Sequence, residues 1–173
     1  VLSDLQNMGK QVILVSSGAI GVGFGKLNLP ERPKETRYKQ AVAAVGQCEL
    51  MFMYDKVFGE YNHTVAQVLL TKNVLFNEHL RQNAYNTFST LLEMGIIPIV
   101  NENDTVAIDE LVGNNFGDND NLSAIVADLL DADLLVIMSD IDGLYDCDPR
   151  KNKDAKRFEV VKLIDDDILK MAS

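Results

Sequence analysis

Four short apolar runs, each ending in a cluster of polar residues, constrain the fold of this 173-residue chain more than any other feature. The runs are residues 11–15, 64–70, 96–100 and 134–138, and they consist mainly of β-branched and aliphatic residues. Runs of this length and composition predict buried strands. Segments with helical periodicity separate them, and this alternation predicts an α/β fold whose mostly parallel sheet is covered by helices on both faces.

The longest helical segment covers residues 36–61 and contains a glycine, Gly46, inside it. The apolar residues that recur at helical spacing in this segment are Tyr38, Val42, Val45 and Phe52. A glycine inside a helix costs about 1 kcal/mol relative to alanine. Gly46 therefore either permits close packing against the site or is simply tolerated.

Local signals mark the other helices. Gly9 is placed to end a helix at the start of the chain, and Asn77 is placed to cap a helix that Gly95 closes. A further apolar stripe predicts a helix over residues 122–130. After a charged loop at 151–157, the tail is expected to form a short strand and a helix.

The polar clusters that follow the four predicted strands indicate a small-molecule site. They are Ser16 to Gly18, Thr71 and Lys72, Asn101 to Asp104, and Ser139 with Asp140. Right-handed crossovers place the carboxyl ends of parallel strands at one edge of a sheet. Ligands of open α/β sheets bind at that edge, so we expect these side chains to converge on a ligand.

The glycine-rich stretch from Ser16 to Gly25 has two interpretations. Its backbone N–H groups could bind an anion with the help of a helix N-terminus, or it could be a tight turn between a strand and a helix. The stretch contains neither the Gly-Lys-Ser/Thr ending of a nucleotide-binding P-loop nor the glycine spacing of a dinucleotide-binding fingerprint. The residues alone leave both interpretations open.

Two further clusters carry carboxylates. The first, from Asn101 to Asp104, can bind an α-amino group through a carboxylate, or it can be a solvated turn. The second, from Gly117 to Asn121, precedes the predicted helix at 122–130, and Asp120 or Asn121 could cap that helix. Its carboxylates could instead orient Mg²⁺ or position catalytic lysines for phosphoryl transfer.

Composition excludes several classes of partner. The chain has 26 acidic and 16 basic residues and a net charge of −10, whereas nucleic acid recognition needs a basic face. Its apolar runs are too short to span a bilayer, and no signal peptide is visible. Cys48 and Cys147 form no CxxC pair and are expected to be reduced thiols. We therefore expect a cytoplasmic protein with no nucleic acid or membrane partner.

Several segments of the chain resemble the amino acid kinase family, and most specifically its glutamate 5-kinase branch. The matching segments are VSSGAI at 15–20, AVGQ at 44–47, PIVNEND at 98–104, GDNDNLSA at 117–124, SD at 139–140, GLY at 143–145 and DPR at 148–150. The pair NEND and GDNDN is specific to the branch, whereas the SSGA segment is shared more widely in the family.

The resemblance implies a fold and a reaction. The fold is a three-layer αβα sandwich with a mostly parallel central sheet, truncated at both ends, in which residues 1–173 form a single incomplete domain. The reaction is ATP-dependent phosphorylation of the L-glutamate side chain to γ-glutamyl phosphate, the first step of proline biosynthesis. ATP and Mg²⁺ are the implied cofactors, proline is the implied feedback inhibitor, and the protein is expected to be a homo-oligomer.

The resemblance also implies roles for single residues. Asp120 is expected to organise the catalytic lysines, and no residue is assigned as a direct metal ligand. The residues expected to bind glutamate are Ser17, Gly18, Ala19, Asn101, Asp104, Asp118 and Asn119. The residues expected to bind the nucleotide are Ser139, Asp140 and Tyr145.

Two departures from the family pattern qualify these expectations. The two catalytic lysines of the family are expected to lie before Val1 and after Ser173, so residues 1–173 alone are expected to be nearly inactive. Residues 114–116 lengthen the loop before Gly117, which bears on the strength of proline inhibition. The alternatives are a kinase acting on acetylglutamate or aspartate, and a non-catalytic domain that senses glutamate or proline.

Overall fold

The structure of the chain is a computed structural model that describes residues 1–107 and 119–171. The chain divides into two compact units, Val1–Leu135 and Val136–Ser173. The first unit contains α1 (Leu2–Asn7), β1 (Leu14–Val15), α2 (Ala19–Lys26), α3 (Thr36–Gly59), β2 (Val65–Leu70), α4 (Asn73–Phe76), α5 (Glu78–Glu93), β3 (Ile97–Glu102) and α6 (Asn119–Leu129). The second unit contains α7 (Asp166–Met171).

The strands of the first unit form a parallel sheet in the order β1-β3-β2, as the alternation of strands and helices predicts. All six residues of the central strand β3 are buried. The backbone of β3 forms hydrogen bonds alternately with β2 and with β1. Ile97 donates to Thr64 on the β2 side, and Val100 accepts from Ser16 on the β1 side. Pro98 lies on the β1 side of this alternation, one residue before the β1 ladder begins at Ile99. Proline therefore removes no hydrogen bond to β2.

Helices flank the sheet, and each face of β3 has its own core. Ile97 and Ile99 pack with Phe58 of α3 on one face. Val100 packs with Phe88 of α5 and Val126 of α6 on the other. Successive side chains of a strand point to opposite faces, so the apolar run of β3 fills both cores at once. The chain therefore has the continuous hydrophobic pattern expected of a doubly covered parallel strand.

The predicted helix boundaries are confirmed where a local signal fixes them. Asn77 caps α5, since its Oδ1 accepts a hydrogen bond of 3.0 Å from the backbone N–H of Leu80. Gly95 follows the last turn of α5 with a φ of 71°, a conformation that residues with a Cβ avoid. Gly9 follows α1 in the same way.

Helices α2 and α3 touch backbone to backbone through two glycines. A Cβ placed on Gly46 would lie 1.7 Å from the carbonyl oxygen of Ala19 and 2.5 Å from the nitrogen of Gly23. A Cβ placed on Gly23 would lie 2.0 Å from the carbonyl oxygen of Val42. Both clashes are with backbone, which cannot rotate away. Gly46 is therefore required by close packing, and the alternative that it is merely tolerated is excluded.

The predicted fourth strand is wrong. Residues 134–138 form no strand, and Leu134 and Met138 are exposed at 77% and 92%. A strand needs a hydrogen-bonded neighbour, and within the described ranges no segment pairs with this run. The short strand expected in the tail is also missing, and an isolated antiparallel bridge between Tyr145 and Arg157 is found there instead. The tail helix is confirmed as α7.

Two other boundaries differ from the prediction. The first strand covers only Leu14–Val15 rather than residues 11–15. The third strand extends to Glu102, so Asn101 and Glu102 belong to β3 and do not follow it. The ladder with β2 runs through Leu70 and Glu102, and this pairing carries the strand past the last aliphatic residue. Within the described helices, none is long and apolar enough to cross a membrane.

We predict that Gly46→Ala lowers the free energy of unfolding by at least about 2 kcal/mol, because its methyl group forces α2 and α3 apart. Gly25→Ala is the matched control, since Gly25 lies in α2 and a Cβ there meets no atom within 4 Å. The control should be as stable as the wild type or up to about 1 kcal/mol more stable. Urea unfolding measures both, and two variants of equal stability would contradict the close approach.

Candidate functional site

The carboxyl edge of the sheet brings three of the predicted clusters together. Ladder hydrogen bonds continue one residue beyond the strands here. Ser16 donates to Val100 at 2.8 Å, and Asn103 donates to Leu70 at 2.7 Å. The segments that follow β1 and β3 therefore begin next to each other at this edge of the sheet. The sequence predicted this convergence for the clusters at 16–18, 71–72 and 101–104.

Ser17 and Gly18 lie in the connection from β1 to α2, and Ala19 is the first residue of α2. Gly18 is the N-cap of α2 with a φ of 102°, and no side chain caps this helix end. The first hydrogen bond of the helix runs from the N–H of Val22 to the carbonyl oxygen of Gly18, so the N–H groups of residues 19–21 precede it. An uncapped helix N-terminus carries partial positive charge and binds anions. The local geometry thus suits the anion-binding interpretation of this stretch.

Helix α3 holds the connection between β1 and α2 in place from two sides. Ser16 is buried, and its hydroxyl shares a hydrogen bond of 2.7 Å with the hydroxyl of Tyr54 in α3. Gly46 of α3 lies against the carbonyl oxygen of Ala19. The backbone amides at the start of α2 are therefore positioned by contacts with α3 on either side of them.

Asp104 lies in a turn directly after β3. The carbonyl oxygen of Asn103 accepts hydrogen bonds from Val106 and Ala107, and the Thr105 hydroxyl bonds to the Asn103 side chain. Burial, and then the nearby Glu102 carboxylate, raise the pKa of Asp104 to about 6. A nearby cation lowers the free-energy cost of ionising a buried carboxylate. Asp104 is therefore suited to bind an ammonium group.

A cavity of about 380 Å³ lies beside Asp104, between α3 and the ends of β2 and β3. Its polar lining includes Gln47, Gln67, Glu102 and Asp104, and the Cys48 thiol is part of its wall. Pockets for small molecules have this size, with mostly apolar walls and a few convergent polar groups. The cavity is therefore a candidate ligand site.

The side chain of Asn101 joins α3 to the end of β3. Asn101 is 2% exposed, and its Nδ2 donates to Oε1 of Gln47 at 2.8 Å. Its Oδ1 accepts from the backbone N–H of Glu102 at 2.9 Å. These two bonds orient the strand end from which Asp104 leaves.

The start of α6 lies near the same edge. Leu122 and Ile125 of α6 line a second, much smaller cavity together with Lys72 and Glu102. Asn119 is the first residue of α6, and its Oδ1 is buried with no hydrogen-bond partner among the described residues. Asp120 lies in the first turn. Asp118 and the lengthened loop at 114–116 lie outside the described residues.

The residues expected to bind the nucleotide lie in the second unit. Ser139 donates to Asp140 at 3.3 Å, and Asp140 pairs with Arg150 at 2.8 Å. The Tyr145 hydroxyl donates to the carboxylate of Asp142 at 2.7 Å. This bond is the main cause that lowers the pKa of Asp142 and raises that of Tyr145. All of these groups are accessible to solvent or nearly so, and they offer both donors and acceptors.

Comparison with known proteins identifies the family. The model of the amino acid kinase family matches residues 1–171. The chain belongs to the amino acid kinase family. The resemblance inferred from the short motifs is thereby confirmed over nearly the whole chain.

Three similar proteins carry the same name, glutamate 5-kinase. The protein from Clostridium perfringens is 65% identical over 93% of this chain and 60% of its own length. Those from Enterococcus faecalis and Listeria innocua are 56% and 57% identical over 99% of this chain, and over 64% and 63% of their own lengths. The chain thus spans less than two thirds of the length of these relatives.

Within this amino acid kinase, sequence reasoning missed the contribution of α3 to the site. The motif AVGQ contains Gln47 but does not indicate its contact with Asn101, and no local pattern marks Tyr54 as a partner of Ser16. Both contacts join residues far apart in the sequence. One usable signal was the position of Gln47 directly after Gly46, because a polar residue beside a glycine required for packing lies close to a neighbouring element. Both cysteines are free, as predicted, and the structure shows that both are exposed.

The raised pKa of Asp104 predicts a pH-dependent effect on stability. Between its ordinary value of 3.8 and about 6, the folded state binds more protons than the unfolded state. Stability is therefore lost as the pH rises through this range. Asp104→Asn should raise the free energy of unfolding at pH 7.5 by about 1 kcal/mol, a value reduced for partial solvent screening, and by much less at pH 4.5.

Urea unfolding at the two pH values measures this effect. Asp55→Asn is the control, because Asp55 is exposed on α3 and the exchange relieves no burial there. A stabilisation of Asp104→Asn that is the same at both pH values would contradict a buried carboxylate that ionises at a cost.

Proposed function

We propose that the protein to which this chain belongs is a glutamate 5-kinase. It transfers the γ-phosphoryl group of ATP to the side-chain carboxylate of L-glutamate, giving γ-glutamyl phosphate and ADP in the first step of proline biosynthesis. One observation carries the proposal. An uncapped helix N-terminus and a partly buried carboxylate follow neighbouring strands at one sheet edge, which gives an anion site next to a cation site. The name shared by the similar proteins supports the same reaction.

The proposed roles at the glutamate site follow from charge. Asp104 binds the α-ammonium group, because a cation offsets the cost of ionising this carboxylate. The amides at Gly18 and Ala19, with the Ser17 hydroxyl, bind the reacting carboxylate and stabilise it as negative charge develops in transfer. Asn119 supplies a buried acceptor that a substrate donor would satisfy. Asn101 and Asp118 complete the proposed set.

The nucleotide is proposed to bind through Ser139, Asp140 and Tyr145. The hydrogen-bonded group around Asp140 and Arg150 contains hydroxyl, carboxylate and guanidinium functions, which match the hydroxyls and phosphates of ATP. These residues are accessible to solvent, so a nucleotide can reach them without any rearrangement of buried side chains. The family match through residue 171 supports placing them in one domain with the glutamate residues.

Mg²⁺ is proposed to bind with ATP. The described residues contain no group of three or more His, Cys, Asp or Glu side chains that could hold a metal ion. Mg²⁺ in kinase sites is commonly held by nucleotide phosphates and only one or two carboxylates, and when bound it neutralises phosphate charge. We propose this mode of binding, with the ion carried by the nucleotide phosphates.

Positive charge for the transfer step is proposed to come from lysines that Asp120 orients. Two anions approach each other in this reaction, so oriented cations lower the barrier. Lys26 is paired with Glu49 at 2.8 Å at the far end of α2. We propose, as the family pattern implies, that the catalytic lysines belong to parts of the protein beyond residues 1–173.

Three broader features are proposed with the function. The complete domain is a three-layer αβα sandwich, of which the flanked parallel sheet is the part seen here. The protein assembles as a homo-oligomer. Proline, as the end product, inhibits the enzyme at or near the glutamate site.

Substrate choice tests the function directly. The complete protein should form γ-glutamyl hydroxamate from glutamate, ATP and hydroxylamine at least 100-fold faster than it forms the corresponding product from aspartate. A site whose buried polar groups match one ligand rejects analogues that leave those groups unpaired. Equal rates with aspartate, or a preference for N-acetylglutamate, would overturn the assignment, and binding without any turnover would indicate a sensing domain.

Kinetics of two variants test the division of roles. Asp104→Ala should raise KM for glutamate at least 10-fold with a smaller effect on kcat, because its contact exists in both the ground and the transition state. Asp120→Ala should lower kcat about 100-fold, because it acts where charge develops.

The pH dependence gives a second readout of Asp104. In the wild type, kcat/KM for glutamate should fall as the pH drops through about 6, where protonation removes the carboxylate. This loss should be absent in Asp104→Ala. A change confined to KM in Asp120→Ala would refute the roles assigned here.

A further inference from the structure

Among the described residues, the amide of Gln47 is hydrogen-bonded through its oxygen but not through its nitrogen. Gln47 is 8% exposed, and its Oε1 accepts the hydrogen bond from Asn101 at 2.8 Å. Its Nε2 is buried and has no hydrogen-bond partner among the described residues. The same side chain lines the 380 Å³ cavity that also contains Asp104. A donor without an acceptor thus lies beside a prospective ligand site.

This arrangement is costly unless a ligand completes it. A buried donor without a partner destabilises the fold, because it has lost its hydrogen bond to water and gained none in exchange. Turning the amide over would not help. The oxygen would then lie where the nitrogen is now, and Asn101 would face a second donor. The bond from Asn101 therefore fixes which end of the Gln47 amide carries the unsatisfied group.

The other polar groups that line the cavity indicate which kind of ligand would supply an acceptor for Gln47. Glu102 and Asp104 are carboxylates, which accept hydrogen bonds and attract cations. Gln47 contributes a donor with no counterpart. A ligand that carries an ammonium group and a carboxylate on the same carbon atom satisfies both requirements at once. That combination is the α-carbon end of a free amino acid.

We propose that Nε2 of Gln47 donates a hydrogen bond to the α-carboxylate of the bound amino acid while Asp104 binds its α-ammonium group. This inference rests on the proposed function, and it adds Gln47 as a specificity-determining residue. The γ-carboxylate is then left for the amides at the start of α2. An analogue without the α-carboxylate leaves the Gln47 donor unpaired and is rejected.

Gln47→Glu separates this role from a structural one. The glutamate side chain retains an oxygen that accepts from Asn101, but it replaces the Nε2 donor with an acceptor that repels a carboxylate. We expect a KM for L-glutamate at least 10-fold above that of the wild type, with KM for ATP within about two-fold. Gln47→Met loses the hydrogen bond to Asn101 as well as the proposed bond to the ligand. It should therefore also lower thermal stability, because Nδ2 of Asn101 loses its acceptor.

A substrate analogue supplies the readout that a structural role would not change. The α-amide of L-glutamate keeps the γ-carboxylate but offers an N–H donor at the α-position. Wild type should prefer glutamate over this amide by at least 10-fold in kcat/KM, and Gln47→Glu should lose that preference. If Gln47→Glu keeps the wild-type KM and the wild-type preference, Gln47 only braces Asn101 and the inference is wrong.

Cys48 reports occupancy of the cavity without any turnover. Its thiol is exposed and lies in the cavity wall. In a Cys147→Ser background of the complete protein, glutamate should slow alkylation of Cys48 by N-ethylmaleimide at least five-fold, as followed by mass spectrometry of the Cys48 peptide. Gln47→Glu should require at least 10-fold more glutamate for the same protection.

The kinetics of Gln47→Glu and the alkylation of Cys48 together distinguish a failure of this inference from a failure of the proposed function. Glutamate phosphorylation without protection of Cys48, and with unchanged kinetics in Gln47→Glu, would overturn the inference and leave the proposed function standing. Protection that depends on Gln47, in a protein that phosphorylates no amino acid, would support the Gln47 contact and overturn the kinase assignment.

Discussion

Helix α3 approaches α2 so closely that neither Gly23 nor Gly46 has room for a methyl group, and the candidate site depends on this contact. The start of α2 carries backbone amides that precede the first hydrogen bond of the helix and that no side chain caps. One residue beyond Gly46, the side chain of Gln47 holds Asn101 at the end of β3. Two turns further along α3, Tyr54 holds Ser16 at the end of β1. A single helix therefore sets the spacing between both strand ends and the polar groups that follow them.

Several polar groups at this edge are incompletely satisfied. Burial raises the pKa of Asp104 to about 6, and among the described residues the buried Nε2 of Gln47 and Oδ1 of Asn119 have no hydrogen-bond partner, as is also true of single atoms of Gln6 and His63 away from this edge. Such groups reduce the stability of the unliganded fold. A bound amino acid would relieve them together, because it brings a cation, acceptors and donors in one molecule. The packed sheet and the glycine contact supply the rigidity that keeps these groups in place.

The sequence predicted features that depend on neighbours in the chain and missed features that depend on distant ones. The cap at Asn77, the turn at Gly95 and the buried run of β3 follow from local signals, and all were predicted. The run at 134–138 has the composition of a strand, but a strand also needs a partner, and composition does not supply one. In α3, apolar residues lie on several sides, so periodicity did not show that Val42 is buried while Phe52 is 62% exposed. Gln47 was missed for the same reason.

The charges at the site indicate which part of the reaction this sheet edge serves. Glu102, Asp104 and Asp120 are acidic, and a group of carboxylates raises the cost of bringing phosphate near. The same carboxylates favour an ammonium ion, so their contribution lies in recognising the amino acid rather than in stabilising transferred phosphate. The backbone amides of α2 and the Lys72 side chain beside Glu102 oppose this bias, and helix-end charge is modest. In the proposed function, this edge therefore holds the acceptor carboxylate, and phosphoryl transfer requires further cations besides these groups.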